Sequence, residues 1–234
     1  MFKYLKKQII ELIASFYVIF LACINPFSGF YLFLRAVPYY VRIPFLLDLD
    51  FFYFYYYHVF YNFARYTAEK GKTNVSDIGE LTYGETPYYS LVKIFKYIPV
   101  KASDVFYDLG CGRGKLVFFV RKYYKLPSFG IDIIPTFIKV ANRYATLKKV
   151  DKVAFLEANL KDFDFSKGTI FFIAWTCLNE LTVKCMILSL LKIPADSYVI
   201  TTSFPIKHEC FKVVKKLRVN YSWGRGNLFL NQKI

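Results

Sequence analysis

Histidine is almost absent from this sequence, with only two copies among 234 residues. The five cysteines are odd in number and form no CxxC pair. Structural zinc and iron–sulfur sites need several closely spaced Cys or His ligands, so this pattern excludes a metal centre of those classes. The same cysteine pattern argues against a disulfide framework and predicts buried, reduced thiols.

Acidic residues are also scarce. The chain has 17 Asp and Glu against 32 Lys and Arg, giving a formal charge of +15. Residues 71–234 carry most of the excess, with 25 basic and 13 acidic groups. Such a charge favours an anionic partner, which can be nucleic acid, acidic lipid or an acidic protein surface. No arginine-rich run or nucleic-acid-binding module accompanies the charge, so nucleic acid is a partner without a motif. A basic surface that serves solubility is the alternative.

Charge is missing altogether from Leu12 to Leu34, a run of 23 residues. A helix of that length can cross a hydrocarbon core of about 30 Å, although Asn, Pro and Gly interrupt this run. Three lysines precede it, which by the positive-inside tendency places the N-terminus in the cytoplasm. We therefore predict a membrane anchor, with a kinked or re-entrant segment as a variant.

A second apolar stretch, Ile43–Phe63, is rich in aromatic residues and contains Asp48 and Asp50. Aromatic side chains favour the membrane–water boundary, so this stretch is interpreted as an interfacial helix. The alternative is that both segments cover a soluble domain. We assign residues 1–72 to a hydrophobic N-terminal region and residues 73–234 to a second domain. This predicts a membrane-associated protein with its second domain in the cytoplasm, or alternatively a soluble cytoplasmic protein.

From residue 86 onward, predicted strands and helices alternate. Apolar strands such as "DVFYDL" and "SFGIDI" are each followed by a helical pattern such as "KLVFFVRKYY". This alternation predicts an α/β fold with parallel strands and helices on both faces. The last 24 residues differ, because "FKVVKKLRVNYSW" and "LFLNQKI" flank the glycine-containing turn "GRGN", which predicts a terminal antiparallel hairpin.

Three glycines, Gly110, Gly112 and Gly114, follow the first predicted strand, which contains Asp108. Glycines at a strand end allow a tight turn and a close approach of ligand to backbone. The spacing fits neither a dinucleotide fingerprint, which needs Gly where Lys115 stands, nor a phosphate-binding P-loop. An acid beside the turn suits a cationic ligand.

Asp132 ends the second predicted strand, twenty residues after Gly112. A carboxylate at that place can accept hydrogen bonds from ribose hydroxyls. Such a site has one acid for an ammonium group, one acid for a ribose and a glycine backbone between them. These features suit S-adenosylmethionine, which we predict as the cofactor.

The motifs "DLGCGRGK" and "YGET", at Tyr83–Thr86, make residues 80–234 resemble class I S-adenosylmethionine-dependent methyltransferases. Within that class they are similar to the non-SET histone-lysine methyltransferases and their bacterial relatives. The resemblance implies a Rossmann-like seven-stranded sheet with a terminal antiparallel hairpin, here preceded by a hydrophobic helical extension.

The resemblance also implies roles for individual residues. The YGET loop would close over the methionine end of the cofactor, and the glycine turn would hold its amino acid and sugar. The implied cofactor-binding residues are Tyr83, Thr86, Asp108, Gly110, Gly112, Gly114, Asp132, Asn159 and Leu160. Glu85 and Trp175 are the candidate catalytic residues, and Thr176 and Asn179 are further candidates for facing the methyl group.

The methyl acceptor is less well defined. Histone enzymes of this group have an Asn-Asn-Phe run where this chain has "AWTCLNE", Ala174–Glu180. Three functions stay open: methylation of a protein, in particular of a lysine; methylation of a lipid or small apolar molecule at the membrane; and a non-catalytic scaffold that retains the fold.

Overall fold

The computed structural model describes residue 31 and residues 33–57, 78–81 and 84–234. They belong to two compact units, Met1–Pro38 and Tyr39–Ile234. The described residues of the first unit are helical. The predicted membrane anchor at Leu12–Leu34 lies almost entirely outside the described residues. Within the described part of the chain, no helix is both long and apolar enough to cross a bilayer.

A seven-stranded sheet forms the centre of the second unit. Its strands are β1 (Phe106–Leu109), β2 (Ser128–Asp132), β3 (Val153–Glu157), β4 (Ile170–Ile173), β5 (Tyr198–Thr202), β6 (Phe211–Tyr221) and β7 (Gly224–Lys233). The spatial order is β3-β2-β1-β4-β5-β7-β6. Strands β1 to β5 pair in parallel, whereas β7 is antiparallel to both β5 and β6. This topology confirms the predicted Rossmann-like methyltransferase sheet and its terminal hairpin.

Two helices, α1 (Pro44–Tyr55) and α2 (Tyr88–Phe95), precede β1. Three more connect parallel strands: α3 (Lys115–Tyr124), α4 (Pro135–Leu147) and α5 (Glu180–Leu190). Short 3₁₀ turns lie at Ile78–Leu81 and Trp175–Cys177. Pro135 occupies the first turn of α4, where its missing N–H costs no hydrogen bond. Asn179 caps α5, since its side chain accepts a hydrogen bond from the backbone N–H of Thr182.

Two apolar clusters cover the two faces of the sheet. On one face α1, α3 and α4 pack together with Phe155 of β3. On the other face α5 packs against β1, β4 and β5, with Trp175 and Phe171 fully buried. Apart from the edge strand β3, the parallel strands are therefore buried on both sides, which explains their nearly uninterrupted apolar sequences.

The first half of the aromatic stretch Ile43–Phe63 forms α1, which is part of the second unit. Its Leu46 and Leu49 are fully buried, and Tyr53 is nearly so. The described part of this stretch therefore covers the domain, which was the alternative interpretation. The boundary between the two compact units lies at Pro38 and Tyr39. The predicted domain boundary at residue 72 falls outside the described residues and stays a prediction.

Polar contacts explain why α1 packs on protein. Asp48 accepts a hydrogen bond of 2.5 Å from the hydroxyl of Tyr144 and pairs with Lys148 at 2.8 Å. Asp50 pairs with Lys115 at 2.7 Å. Carboxylates facing lipid would lose such partners at a large cost, so the two acids favour a protein-facing helix.

Candidate active site

The glycine turn joins β1 to α3. Gly110, Gly112 and Gly114 have φ values of 79°, 52° and 74°, in the left-handed region that glycine adopts without strain. The backbone N–H of Gly110 donates to the carbonyl of Ile131 at 2.8 Å, and that of Gly114 donates to Cys111 at 2.8 Å. The turn is thus fixed at both ends by main-chain hydrogen bonds.

The glycines differ in their surroundings. A Cβ atom added at Gly110 would meet no atom within 4 Å, whereas one at Gly114 would lie 2.2 Å from the ring of Phe155. Gly130 on β2 is similarly covered, by Cys111 and Phe155. Gly110 therefore borders open space that a ligand can enter, and Gly114 is required for packing.

Two buried acids flank the turn. Asp132 accepts hydrogen bonds from the backbone N–H groups of Gly112 and Ile134, at 2.8 and 2.9 Å. Burial raises the pKa of Asp132, and these donors partly offset the rise. Burial and the neighbouring Asp132 raise the pKa of Asp108 to about 8. A cation arriving at this site would favour the ionised form of both acids.

The segment after β3 lies beside Asp132. The backbone N–H of Ala158 donates to the main-chain carbonyl of Asp132 at 3.1 Å. Asn159 follows and accepts a hydrogen bond from the N–H of Lys161, while Leu160 packs against the apolar cluster around β1. The structure therefore brings the predicted nucleoside-binding residues together at the carboxyl ends of β1, β2 and β3.

The YGET loop is described from Gly84 onward, and Tyr83 lies outside the described residues. The carboxylate of Glu85 pairs with Lys115 at 3.0 Å and lies 3.8 Å from the guanidinium of Arg113. Both cations belong to the glycine turn or directly follow it. Thr86 is buried, with 9% of its surface exposed. Ion pairs therefore hold the YGET loop against the glycine turn.

The turn between β6 and β7 holds the YGET loop from the other side. The N–H of Glu85 donates to the hydroxyl of Ser222 at 2.8 Å, and the N–H of Ser222 donates back to the carbonyl of Glu85 at 3.0 Å. The ring of Trp223 covers Gly84 so closely that a Cβ there would lie 2.2 Å away. Trp223 stacks on Tyr221 with 4.5 Å between ring centroids.

Trp175 is enclosed in the apolar core. It is fully buried, its ring stacks on Phe204 and its indole N–H donates to the carbonyl of Phe204 at 3.1 Å. The neighbouring Thr176 is exposed, and its hydroxyl lies 2.9 Å from those of Thr202 and Ser203. The geometry gives Trp175 a packing role, and its contact with a substrate stays a prediction.

Lys115 and Trp223 belong to the site, although the sequence motifs do not identify them. In the sequence, Lys115 only excludes a dinucleotide motif, yet a lysine directly after the third glycine must lie beside the turn. Trp223 enters the sequence-based prediction only as the last residue of "FKVVKKLRVNYSW", beside the hairpin turn. Its contact with Gly84 joins residues 139 positions apart, which local patterns cannot show.

The described residues fit S-adenosylmethionine. Gly110 gives access to the backbone, buried Asp108 can face an ammonium group, and Asp132 lies at the strand end where a ribose would bind. The carboxyl ends of the parallel strands are also where open α/β sheets bind their ligands.

Comparison with known proteins agrees with this fit. The profile of the family "Histone methylation protein DOT1" matches residues 61–203, which is more than half of the chain. No curated protein sequence matches the chain.

Several solved structures share the fold. An RNA methyltransferase from Salinibacter ruber in complex with S-adenosyl-L-homocysteine is 22% identical, with a TM-score of 0.52 over 62% of this chain and 90% of its own. A SAM-dependent methyltransferase from Methanosarcina mazei is 14% identical, with a TM-score of 0.51 over 61% of this chain and 97% of its own. The [4+2]-cyclase SpnF is 10% identical, with a TM-score of 0.51 over 61% and 78%. At these identities the likeness is one of fold.

Proposed function

Because the chain belongs to the histone methylation protein DOT1 family, it is an S-adenosylmethionine-dependent methyltransferase, and we propose that its acceptor is a protein lysine. The observation that carries this proposal is the family match over residues 61–203, which includes the YGET loop and the glycine turn. The charge of +15 supports an acceptor protein with an acidic surface.

We assign the cofactor's parts to the residues that the fold brings together. The amino-acid end would lie along Gly110 and Gly112, with its ammonium group facing Asp108. The ribose would face Asp132, and Asn159 and Leu160 would border the adenine. Tyr83 and Thr86 complete the proposed set from the YGET loop.

S-adenosylmethionine, when bound, supplies a methyl group already activated by its sulfonium. The protein then has to align the acceptor and exclude water. A lysine acceptor has to arrive neutral, and desolvation at the site lowers its pKa in the required direction. Glu85 faces Lys115 and Arg113, so its carboxylate serves to hold the loop in this proposal. Catalysis by Glu85 or Trp175 stays a prediction.

The test is transfer of radiolabelled methyl groups to protein. The full chain is incubated with methyl-labelled S-adenosylmethionine and a mixture of acidic proteins, and labelled protein is hydrolysed to amino acids. The proposal expects label in methyllysine that disappears with Asp132→Ala. Label in another amino acid would reject lysine as the acceptor, and binding of the cofactor with no transfer to any protein would reject a protein acceptor.

A lipid or small apolar acceptor at a membrane is the second candidate, and one observation favours it. Phe51, Phe54 and Tyr55 on the outer side of α1 are 59–67% exposed, and they recur at helical spacing. Exposed aromatic residues in such a stripe suit a membrane boundary, and this candidate includes the predicted membrane association. Label that extracts into organic solvent from reactions with vesicles would support it; label that stays with protein would not.

A further inference from the structure

The helix α1 and the two residues after it contact the glycine turn at three points. The hydroxyl of Tyr53 donates to the carbonyl of Arg113 at 2.5 Å. The guanidinium of Arg113 lies 4.2 Å from the ring centroid of Tyr57. The third contact is the pair between the Asp50 carboxylate and the Lys115 ammonium, at 2.7 Å. A segment before the parallel sheet thus supports the loop proposed to carry the cofactor.

Lys115 joins this helix to the YGET loop. Its ammonium lies between Asp50 at 2.7 Å and Glu85 at 3.0 Å, and the Lys115 side chain is 23% exposed. Burial alone would lower the pKa of Lys115, but the two carboxylates outweigh it and raise the pKa above the ordinary range. The Asp50 side chain, 20% exposed, also accepts a hydrogen bond of 2.5 Å from Tyr40. The orientation of Asp50 is therefore fixed from a second side.

Among the described residues, the charges of this network balance. Two cations, Arg113 and Lys115, face two carboxylates, Asp50 and Glu85. Partly buried groups of this kind depend on all their partners, because loss of one leaves another charge uncompensated. Without the Asp50 charge, the Lys115 ammonium would lose the closer of its two partners.

We infer that Asp50 is a positioning residue for the cofactor site, acting through Lys115 on both the glycine turn and the YGET loop. The helix α1 is thereby part of the methyltransferase site, although it precedes the motifs that identify the family. This inference rests on the assignment of the cofactor and extends it to a residue outside the cofactor-binding set.

Asp48 on the same helix provides the control. It too pairs with a lysine, Lys148, and accepts a hydrogen bond from a tyrosine hydroxyl, that of Tyr144, but its partners lie on or directly after α4. Full-length Asp50→Asn and Asp48→Asn are titrated with S-adenosylmethionine by calorimetry, and hydrogen exchange is measured at the amides of residues 110–115 without cofactor.

The inference expects Asp50→Asn to weaken cofactor binding about fivefold to tenfold and to speed exchange in the glycine turn. Asp48→Asn should change neither. Asp50→Glu, which restores the carboxylate, should recover part of the affinity.

The remaining outcomes each count against either the role of Asp50 or the cofactor assignment. Equal affinity of Asp50→Asn and the unchanged protein would overturn the inference, as would an equal loss in both variants, since that would be a general effect on α1. Failure of the unchanged protein to bind S-adenosylmethionine would instead count against the cofactor assignment.

Discussion

At the scale of single residues, Gly110 and Gly114 share a positive φ but differ in what surrounds them. We predict that Gly110→Ala folds with a loss of about 1–2 kcal/mol, the cost of a left-handed Cβ. It should nevertheless bind S-adenosylmethionine much more weakly, because its methyl group occupies the space that is open in the structure. Gly114→Ala adds a clash with Phe155 and should lose clearly more stability.

Urea unfolding and cofactor titration of both variants separate these effects. The two positions act as controls for each other, since backbone strain is common to both. Cofactor binding by Gly110→Ala as tight as that of the unchanged protein would show that this glycine does not border the ligand.

The buried Asp108 makes both stability and binding depend on pH. Its pKa is raised to about 8 in the folded protein, against roughly 4 in an unfolded chain. Between these values the folded state holds a proton that the unfolded state has released, so the free energy of unfolding should fall as pH rises through this window. Urea denaturation at pH 6 and at pH 8 measures the change.

Cofactor affinity should move in the opposite direction. A cationic ligand needs the ionised carboxylate, so affinity should rise with pH up to about pH 8, the pKa of Asp108, by at most about tenfold per pH unit for one proton released. Asp108→Asn should bind weakly and remove this slope. An unchanged slope in Asp108→Asn would assign the titration to another group.

At the scale of elements, α1 is the segment whose role changed most between sequence and structure. Leu49 is fully buried against the cluster formed with α3 and α4, whereas Phe51 is 67% exposed. We predict that Leu49→Ala lowers the free energy of unfolding by about 2–5 kcal/mol, as truncation in a core does. Phe51→Ala should change it by less than about 0.5 kcal/mol.

Chemical denaturation of the full chain measures both changes in the free energy of unfolding. A loss for Leu49→Ala no larger than that for Phe51→Ala would mean that α1 does not pack as described. It would also favour the predicted boundary at residue 72.

The sheet was largely predictable because each parallel strand is a short apolar run between turn signals. Asp108 and Asp132 were predictable for a related reason: residues at strand ends meet at one edge of a parallel sheet. The role of α1 was not predictable in this way. Its aromatic sequence fits a membrane boundary and a protein core equally well, and only the partners of Asp48 and Asp50 show that one side of α1 packs on protein.

Lys115 follows its partner Asp50 by 65 residues, and Lys148 follows its partner Asp48 by 100. The contacts of Ser222 and Trp223 with the YGET loop are equally distant in sequence. Contacts of this range depend on how the completed sheet places its last hairpin, so no local pattern contains them.

At the scale of the whole molecule, part of the positive charge lies on β6, an outer strand of the sheet. β6 pairs only with β7 among the described strands, and it carries four cations and no acid. Lys212, Lys216 and Arg218 on it are exposed. Open strand edges tend to pair with the edges of other molecules, and lysine at the edge is a common means of preventing this.

This edge has a consequence for the behaviour of concentrated solutions. Two chains approaching edge to edge would bring like charges together, so we expect them to stay apart at 0.1 M salt and to associate at about 1 M, where the Debye length is about 3 Å. Replacing Lys212, Lys216 and Arg218 by Gln should allow association already at the lower salt. The same replacement of Lys139, Arg143 and Lys149, which lie on or just after α4, should not.

Sedimentation velocity at the two salt concentrations distinguishes the cases, and identical behaviour of the two triple variants would assign the repulsion to overall charge. If the edge is responsible, the cations on β6 also protect the folded chain from joining its neighbours into fibrils or precipitates.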